Sequence, residues 1–171
     1  IYNEIPMFGY HTSEYLKDMG TPERLHKVNM DFEDGRIQRS HFDNKQKALF
    51  LDRDGVLNTE RSYISKPEEL EILDFVPAAI QKINHSGYLS IVVTNQSAIA
   101  RNLCTEEDVR NIHKKLETTL GGNKAWLDDI YFCPHHPDKG FPEENPLYKI
   151  ECDCRKPAIG MFKKAIAKFN I

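Results

Sequence analysis

Three short apolar runs, within "KALFL" (47–51), "YLSIVVTNQS" (88–97) and "DDIYFC" (128–133), alternate with stretches whose apolar residues recur at helical spacing. That alternation leaves few options, because parallel strands can be joined only through long crossovers, which here are helices. It predicts an α/β, Rossmann-like parallel sheet. Ala48 to Leu51 reads as a buried first strand. Val76, Ala79, Ile80 and Ile83 mark the first crossover helix, stopped at Gly87. Thr105 with Asp108 caps a second helix, whose apolar face is Val109, Ile112, Leu116 and Leu120. Ile159, Phe162, Ile166 and Phe169 mark a final helix. In such sheets ligands bind beyond the carboxyl ends of the strands, so the polar residues that end each run converge on one crevice.

The first run stops against Asp52 and Asp54, and the second against Thr94, Asn95, Gln96 and Ser97. Residues one apart in extended chain share a face, so both carboxylates can reach one reacting atom. A lone D-x-D-G could simply cap a turn. Beside "TNQS" and the later "CDCRKP" it suits phosphoryl transfer. Asp52 would attack phosphorus, forming an aspartyl phosphate. Asp54 would protonate the leaving oxygen and then activate water, the two carboxylates splitting their roles because like charge raises one pKa. Such chemistry calls for Mg2+ held by a carboxylate, with Thr94 and a lysine on the phosphoryl oxygens. Pro157 biases Lys156 towards extended backbone, so Lys156 and Arg155 point roughly opposite ways.

Cys133, His135, Cys152 and Cys154 pair one residue apart in "CPH" and "CDC", and make a Cys3His set suited to a closed, structural Zn2+ site. His136 should project away from that set. Cys104 stands apart as a packed thiol. With 171 residues, 40% apolar, 29% charged and a net charge of −3, the chain offers no basic stripe for nucleic acid and no apolar run long enough for a membrane span. The expectation is a cytoplasmic protein. The sequence starts at Ile1 and shows no signal peptide, which suggests a fragment.

"LFLDRDGVLN", "VVTNQSAIAR", "CPHHPD" and "CDCRKP" together resemble the haloacid dehalogenase-like (HAD) phosphatases, over about Lys47 to Ile171. The resemblance is strongest to the branch acting on D-glycero-D-manno-heptose 1,7-bisphosphate at C7 and to its histidinol-phosphatase relatives. It implies Asp52 as nucleophile and Mg2+ ligand, and Asp54 as acid and base whose backbone carbonyl also binds Mg2+. Thr94 and Lys156 would hold the phosphoryl group. Arg155, Asn95 to Ser97 and the turn Glu60, Arg61, Ser62, Tyr63 would meet the substrate, a phosphorylated sugar. The family also carries a later acidic motif, and the resemblance implies a chain truncated before it; Asp128 and Asp129 precede the third strand and do not substitute. For the fragment alone, a non-catalytic zinc-stabilised interaction module is the alternative from another class.

"YLKDMGTPERLHKV" near the start resembles the C-terminal end of a sugar-1-phosphate nucleotidyltransferase domain. It implies three parts: residues 1–28 as a remnant of that domain, 29–46 as a polar linker with a short strand, and 47–171 as the phosphatase domain. The transferase would then sit on the same polypeptide.

Overall fold

The structure, a computed structural model, describes residue 12 and residues 14–138 and 143–171. Three parallel strands, β1 (Lys47–Leu51), β2 (Tyr88–Asn95) and β3 (Asp129–Cys133), form one sheet in the order β1-β2-β3. Their register pairs Leu51 with Val92 and Asn95 with Cys133. The C-terminal ends of the strands therefore lie along one edge.

β2 sorts the core by alternation. Val92 packs with Val76 and Ile80 of α3 (Val76–His85) and with Ile112, Leu116 and Leu120 of α4 (Glu106–Gly122). Leu89 and Ile91 pack on the other face with Ala165 and Phe169 of α5 (Gly160–Phe169). Three layers result, with β2 in the middle. The α4 face is as its spacing predicts, since Val109, Ile112, Leu116 and Leu120 are all fully buried, each burial stabilising by about 2 kcal/mol. Thr105 and Asp108 close a reciprocal cap at its start.

Three expectations are corrected. β1 is only half-buried, and Leu49 is 42% exposed, because among the described residues β1 pairs on one side only. The inward residues of α5 are Met161, Ala165 and Phe169, while Ile159 and Ile166 are exposed and Phe162 flanks Phe50 with ring centroids 5.0 Å apart. Residues 29–46 hold no strand. Instead α1 (Pro22–Glu33) runs through position 29 and α2 (Arg36–Arg39) follows. α1 starts with Thr21 as cap and Pro22 in its first turn. It buries Asp31 against Lys27 and the Tyr15 hydroxyl. Of residues 1–28, compared with a transferase remnant, positions 1–11 and 13 lie outside the described residues.

No helix among the described residues is long and apolar enough to cross a membrane.

Candidate active site and metal loop

β1 delivers Asp52 to the crevice and the chain turns at once. Gly55 adopts φ +74°, a conformation an L side chain rarely takes, and its N–H donates to the Asn58 carbonyl. The turn returns Glu60, Arg61, Ser62 and Tyr63 to the same crevice. With Asp52, Asp54, Thr94, Asn95, Gln96, Ser97 and Lys156 they line a cavity of about 240 Å³. Eleven of the twelve residues expected at the catalytic and substrate sites thus meet. Arg155 does not line the cavity; its guanidinium donates to the His135 carbonyl at 3.0 Å. It faces the metal loop, as alternation from Lys156 predicts.

Each carboxylate has its own cation. Lys156 Nζ donates to Asp52 Oδ2 at 2.6 Å and to the Val93 carbonyl at 2.9 Å. Asp52 Oδ1 accepts the Arg53 N–H at 2.8 Å, and the side chain is 43% exposed towards the opening. Asp54 is held more fully. Arg53 Nε and Nη2 approach its carboxylate at 2.9 to 3.1 Å, Gln96 Nε2 donates to Oδ2 at 2.8 Å, and Asn58 Nδ2 donates to Oδ1 at 3.1 Å. The like-charge repulsion expected between the aspartates is therefore offset on both sides.

The amides of "TNQS" position other groups. Asn95 donates to the Lys156 carbonyl at 3.2 Å and accepts the Lys156 N–H at 3.0 Å, fixing the loop that carries the lysine. Gln96 Nε2 also donates to Thr94 Oγ1 at 2.8 Å. In that contact Thr94 Oγ1 is the acceptor, so its own hydroxyl hydrogen is left for another partner.

Cys133, His135, Cys152 and Cys154 also meet, with one ligand atom from each lying within 4.8 Å of the others. The sulfurs are 3.0 to 3.5 Å apart, and His135 Nδ1 lies 3.3 Å from Cys154 Sγ and 3.7 Å from Cys133 Sγ. A tetrahedral zinc with sulfurs at about 2.3 Å sets such edges at roughly 3.8 Å. The set is slightly tighter than that, and it is four-sided. Burial pushes the Cys133 and Cys154 thiols up. Burial also raises Cys152, but contacts with Cys154, the Arg155 N–H and Cys133 outweigh it and bring that thiol down. The Arg155 N–H lies 3.4 Å from Cys152 Sγ. His136 is outside the set, as expected: its Nε2 accepts from Arg101 at 2.8 Å, and burial, then Arg155 and Arg101, lower its pKa. Cys104 is half-buried, and burial pushes its thiol up to about 11.

The loop is tied to the crevice. Gln96 N–H donates to the Cys133 carbonyl at 2.8 Å, and Asn145 N–H to the Ala100 carbonyl at 3.0 Å. Arg101 bridges them, bonding Glu144 at 3.1 Å while its guanidinium lies 5.3 Å from the centre of the Tyr63 ring. Glu144 is also paired with Lys149.

Asp128 and Asp129 sit at the opposite edge of the sheet. Asp129 pairs with Ile91, four residues before Asn95, a distance of roughly 13 Å along the strand. Asp128 accepts from Ser90. A larger cavity of about 540 Å³ also lies at that edge, between α1 and the turn before β2. Its buried carboxylate, Asp31, is already engaged by Lys27 and Tyr15.

Sequence reasoning missed Arg53, Asn58, Arg101 and His113. His113 was findable, since it lies four residues after Val109 and three before Leu116, on the apolar face of α4.

The family model for polynucleotide kinase 3 phosphatase matches residues 47–171. A D-glycero-beta-D-manno-heptose-1,7-bisphosphate 7-phosphatase of Haemophilus ducreyi is 39% identical over 127 residues, which cover 74% of this chain and 67% of the relative. The enzyme of the same name from Vibrio cholerae serotype O1 is 40% identical over 124 residues, 72% of this chain and 64% of the relative. Among solved structures, D,D-heptose 1.7-bisphosphate phosphatase from B. bronchiseptica, complexed with magnesium and phosphate, matches with a TM-score of 0.63 and 31% identity, covering 74% of this chain and 65% of that one. The chain spans about two thirds of the length of these relatives.

Proposed function

The chain belongs to the polynucleotide kinase 3 phosphatase family of HAD-like enzymes, and from that premise we propose that it is a phosphomonoester hydrolase working through an aspartyl phosphate. The observation that carries this is Asp52 at the cavity mouth, paired with Lys156 at 2.6 Å beside a Thr94 hydroxyl free to donate. A carboxylate oxygen of Asp52 attacks phosphorus while the ester oxygen leaves on the far side. Lys156 and Thr94 take the phosphoryl oxygens as they leave the ground-state geometry, so their donors are set for the transition state. Asp54 gives a proton to the departing alkoxide, and the same carboxylate, in the acceptor state in which Arg53 and Gln96 hold it, takes a proton from the water that cleaves the acyl phosphate.

The residues suit two metals. Asp52 offers a hard, half-exposed carboxylate, and with the Asp54 backbone carbonyl it would hold Mg2+. Bound there, Mg2+ would screen the phosphate charge from the attacking carboxylate. Cys133, His135, Cys152 and Cys154 would hold Zn2+, because buried thiols that resist ionisation need a cation to become thiolates. Four protein ligands leave no position for substrate, so a zinc held there would serve to order the loop that carries Lys156.

The substrate we propose is D-glycero-D-manno-heptose 1,7-bisphosphate, dephosphorylated at C7, in line with the names of the relatives. Glu60 to Tyr63 would meet the sugar. The "GTPERL" segment supports a sugar nucleotidyltransferase on the same polypeptide, which would use the resulting sugar 1-phosphate. The test is phosphate release by the complete protein with Mg2+, comparing heptose bisphosphate with histidinol phosphate. Preference for the heptose is expected. Preference for histidinol phosphate would reassign the substrate, and zinc binding without any phosphate release would favour an interaction module.

A further inference from the structure

Arg53 stands between the two aspartates and is fully buried, with 0% of its surface exposed. A guanidinium keeps its charge in a protein and only donates, so its burial requires acceptors all round. Asp54 supplies one side. The other side is His113 of α4, whose Nε2 lies 3.4 Å from Arg53 Nη1, at the long end of a hydrogen bond. Since Arg53 cannot accept, Nε2 must carry the lone pair and the ring proton must sit on Nδ1. The ring is itself packed, edge-on to Phe132 with centroids 5.5 Å apart, and 6% exposed. His113 therefore has one orientation and one tautomer that satisfy Arg53.

We propose that His113 is a positioning residue, which fixes the Arg53 guanidinium and through it the direction of the Asp54 carboxylate; this rests on Asp54 acting as acid and base in the phosphatase reading. The chain of contacts runs from α4 to the crevice through two buried side chains: His113 Nε2, Arg53 Nη1, then Arg53 Nε and Nη2 on Asp54. Without an acceptor at Nη1 the guanidinium can turn to find another, and the fork on Asp54 turns with it. Gln96 and Asn58 would still hold Asp54, so the expected result is a misdirected carboxylate. Burial, and next the Arg53 charge, lower the His113 pKa to about 3, which keeps Nε2 an acceptor at neutral pH. The competing view is that His113 merely fills the core, in which case an apolar residue of similar size would serve.

The experiment compares two leaving groups. Expulsion of an alkoxide from an alkyl phosphate needs the proton from Asp54, whereas expulsion of a dinitrophenolate does not. In the complete protein, His113→Leu should lower kcat on the alkyl phosphate about thirtyfold, less than the roughly hundred- to ten-thousand-fold that such acid catalysis contributes because Asp54 is misdirected and not removed, and change kcat on dinitrophenyl phosphate less than about threefold. His113→Gln, which keeps a side-chain acceptor, should recover most of the loss. Equal losses on both esters, no loss on either, or a Gln variant as poor as the Leu variant would overturn the proposal. A second measurement does not depend on turnover: nitrogen NMR should find His113 protonated at Nδ1 and the Arg53 Nε–H protected from exchange. If the wild-type protein hydrolyses neither ester, the phosphatase reading fails, and the NMR result still decides this one. A His113 proton on Nε2 would overturn it.

Discussion

The crevice and the metal loop are built on the same device, residues one apart at the end of a strand, yet they balance charge in opposite ways. In the crevice the chain supplies its own counter-ions: Lys156 for Asp52, and Arg53 for Asp54. In the loop three sulfurs and an imidazole converge, one ligand atom from each within 4.8 Å of the others. The first arrangement is organised before any ion binds. The second, on the proposed reading, would be completed by a metal, because bringing three thiols together in a buried place costs free energy that coordination would offset. Lys156 lies two residues after Cys154, so the loop holds a piece of the crevice in place. The comparison predicts that damage to the crevice stays local, while damage to the loop spreads.

The largest effect should come from Asp52→Asn. The amide keeps the shape and loses the nucleophile, so phosphate release should fall at least about a thousandfold, or roughly 4 kcal/mol of barrier. Zinc content and melting temperature should stay near wild type. A variant retaining a tenth of the turnover would exclude covalent catalysis by Asp52, and one that also lost zinc would break the claim that crevice damage is local.

Cys152→Ser should be smaller in turnover and wider in reach. With one thiolate gone the tetrahedral set opens, and zinc measured by elemental analysis should drop to a minor fraction. Loss of about 3 kcal/mol would lower the melting temperature by roughly 6 to 12 °C. Turnover should fall too, because the Cys152 to Lys156 segment loses its anchor. Full turnover in a zinc-free variant would separate the two regions and contradict the comparison.

Gly160→Ala probes the joint between loop and helix. An added Cβ would meet the Asp153 carbonyl oxygen at 2.5 Å, where the Gly160 N–H already donates to that oxygen at 2.8 Å. The backbone must move, at a cost of about 1 to 3 kcal/mol. Thermal unfolding should register it, with zinc retained. An unchanged melting temperature would mean that the turn is not close-packed against α5.

Much of this was legible because the two periodicities, 2 and 3.6, act on residues near one another in sequence. The face of α4 and the convergence of Asp52 with Thr94 follow from spacing and from parallel order, whereas the place of Lys156 beside them came from the family resemblance. α5 was misread because two stripes overlap on it: 159, 162, 166, 169 and 161, 165, 169 share Phe169. The close contact of Gly160 with Asp153 accompanies burial of the second stripe, and that contact joins segments whose approach depends on the metal loop. The half-exposure of β1 was hidden for a related reason, since a strand's burial depends on its neighbours and not on its own composition. α1 was only partly foreseen because its inward contact is polar, Asp31 with Lys27 and Tyr15, and apolar periodicity does not register it. Arg53 was missed because the acceptor on its second side, His113, is 60 residues away in sequence, while His113 carried a signal only in its place on the apolar face of α4.

The smallest effect at neutral pH belongs to that pair, and it tests whether the crevice has an acid sensitivity separate from the loop. Folding lowers the His113 pKa from its ordinary value near 6.5 to about 3, burial being the main cause and Arg53 the next, with Asp54 opposing. The unfolded chain therefore binds the proton more readily than the folded one. Stability from this residue is fully present above about pH 6.5 and is lost as pH falls towards 3. At pH 5 the unfolded imidazole is mostly charged and the folded one is not, a difference of about 2 kcal/mol. That figure barely changes if the folded pKa is a unit higher. His113→Gln removes the titration and keeps an acceptor for Arg53. Wild type and variant share the same thiol cluster, so any acid effect on it shifts both alike, and their difference isolates His113. Denaturant unfolding at pH 7 should find the two close in stability, with the variant overtaking the wild type by about 2 kcal/mol at pH 5. Parallel curves across that range would mean that the His113 site is open enough to water to accept its proton, and that acid acts on this fold through the thiol cluster instead.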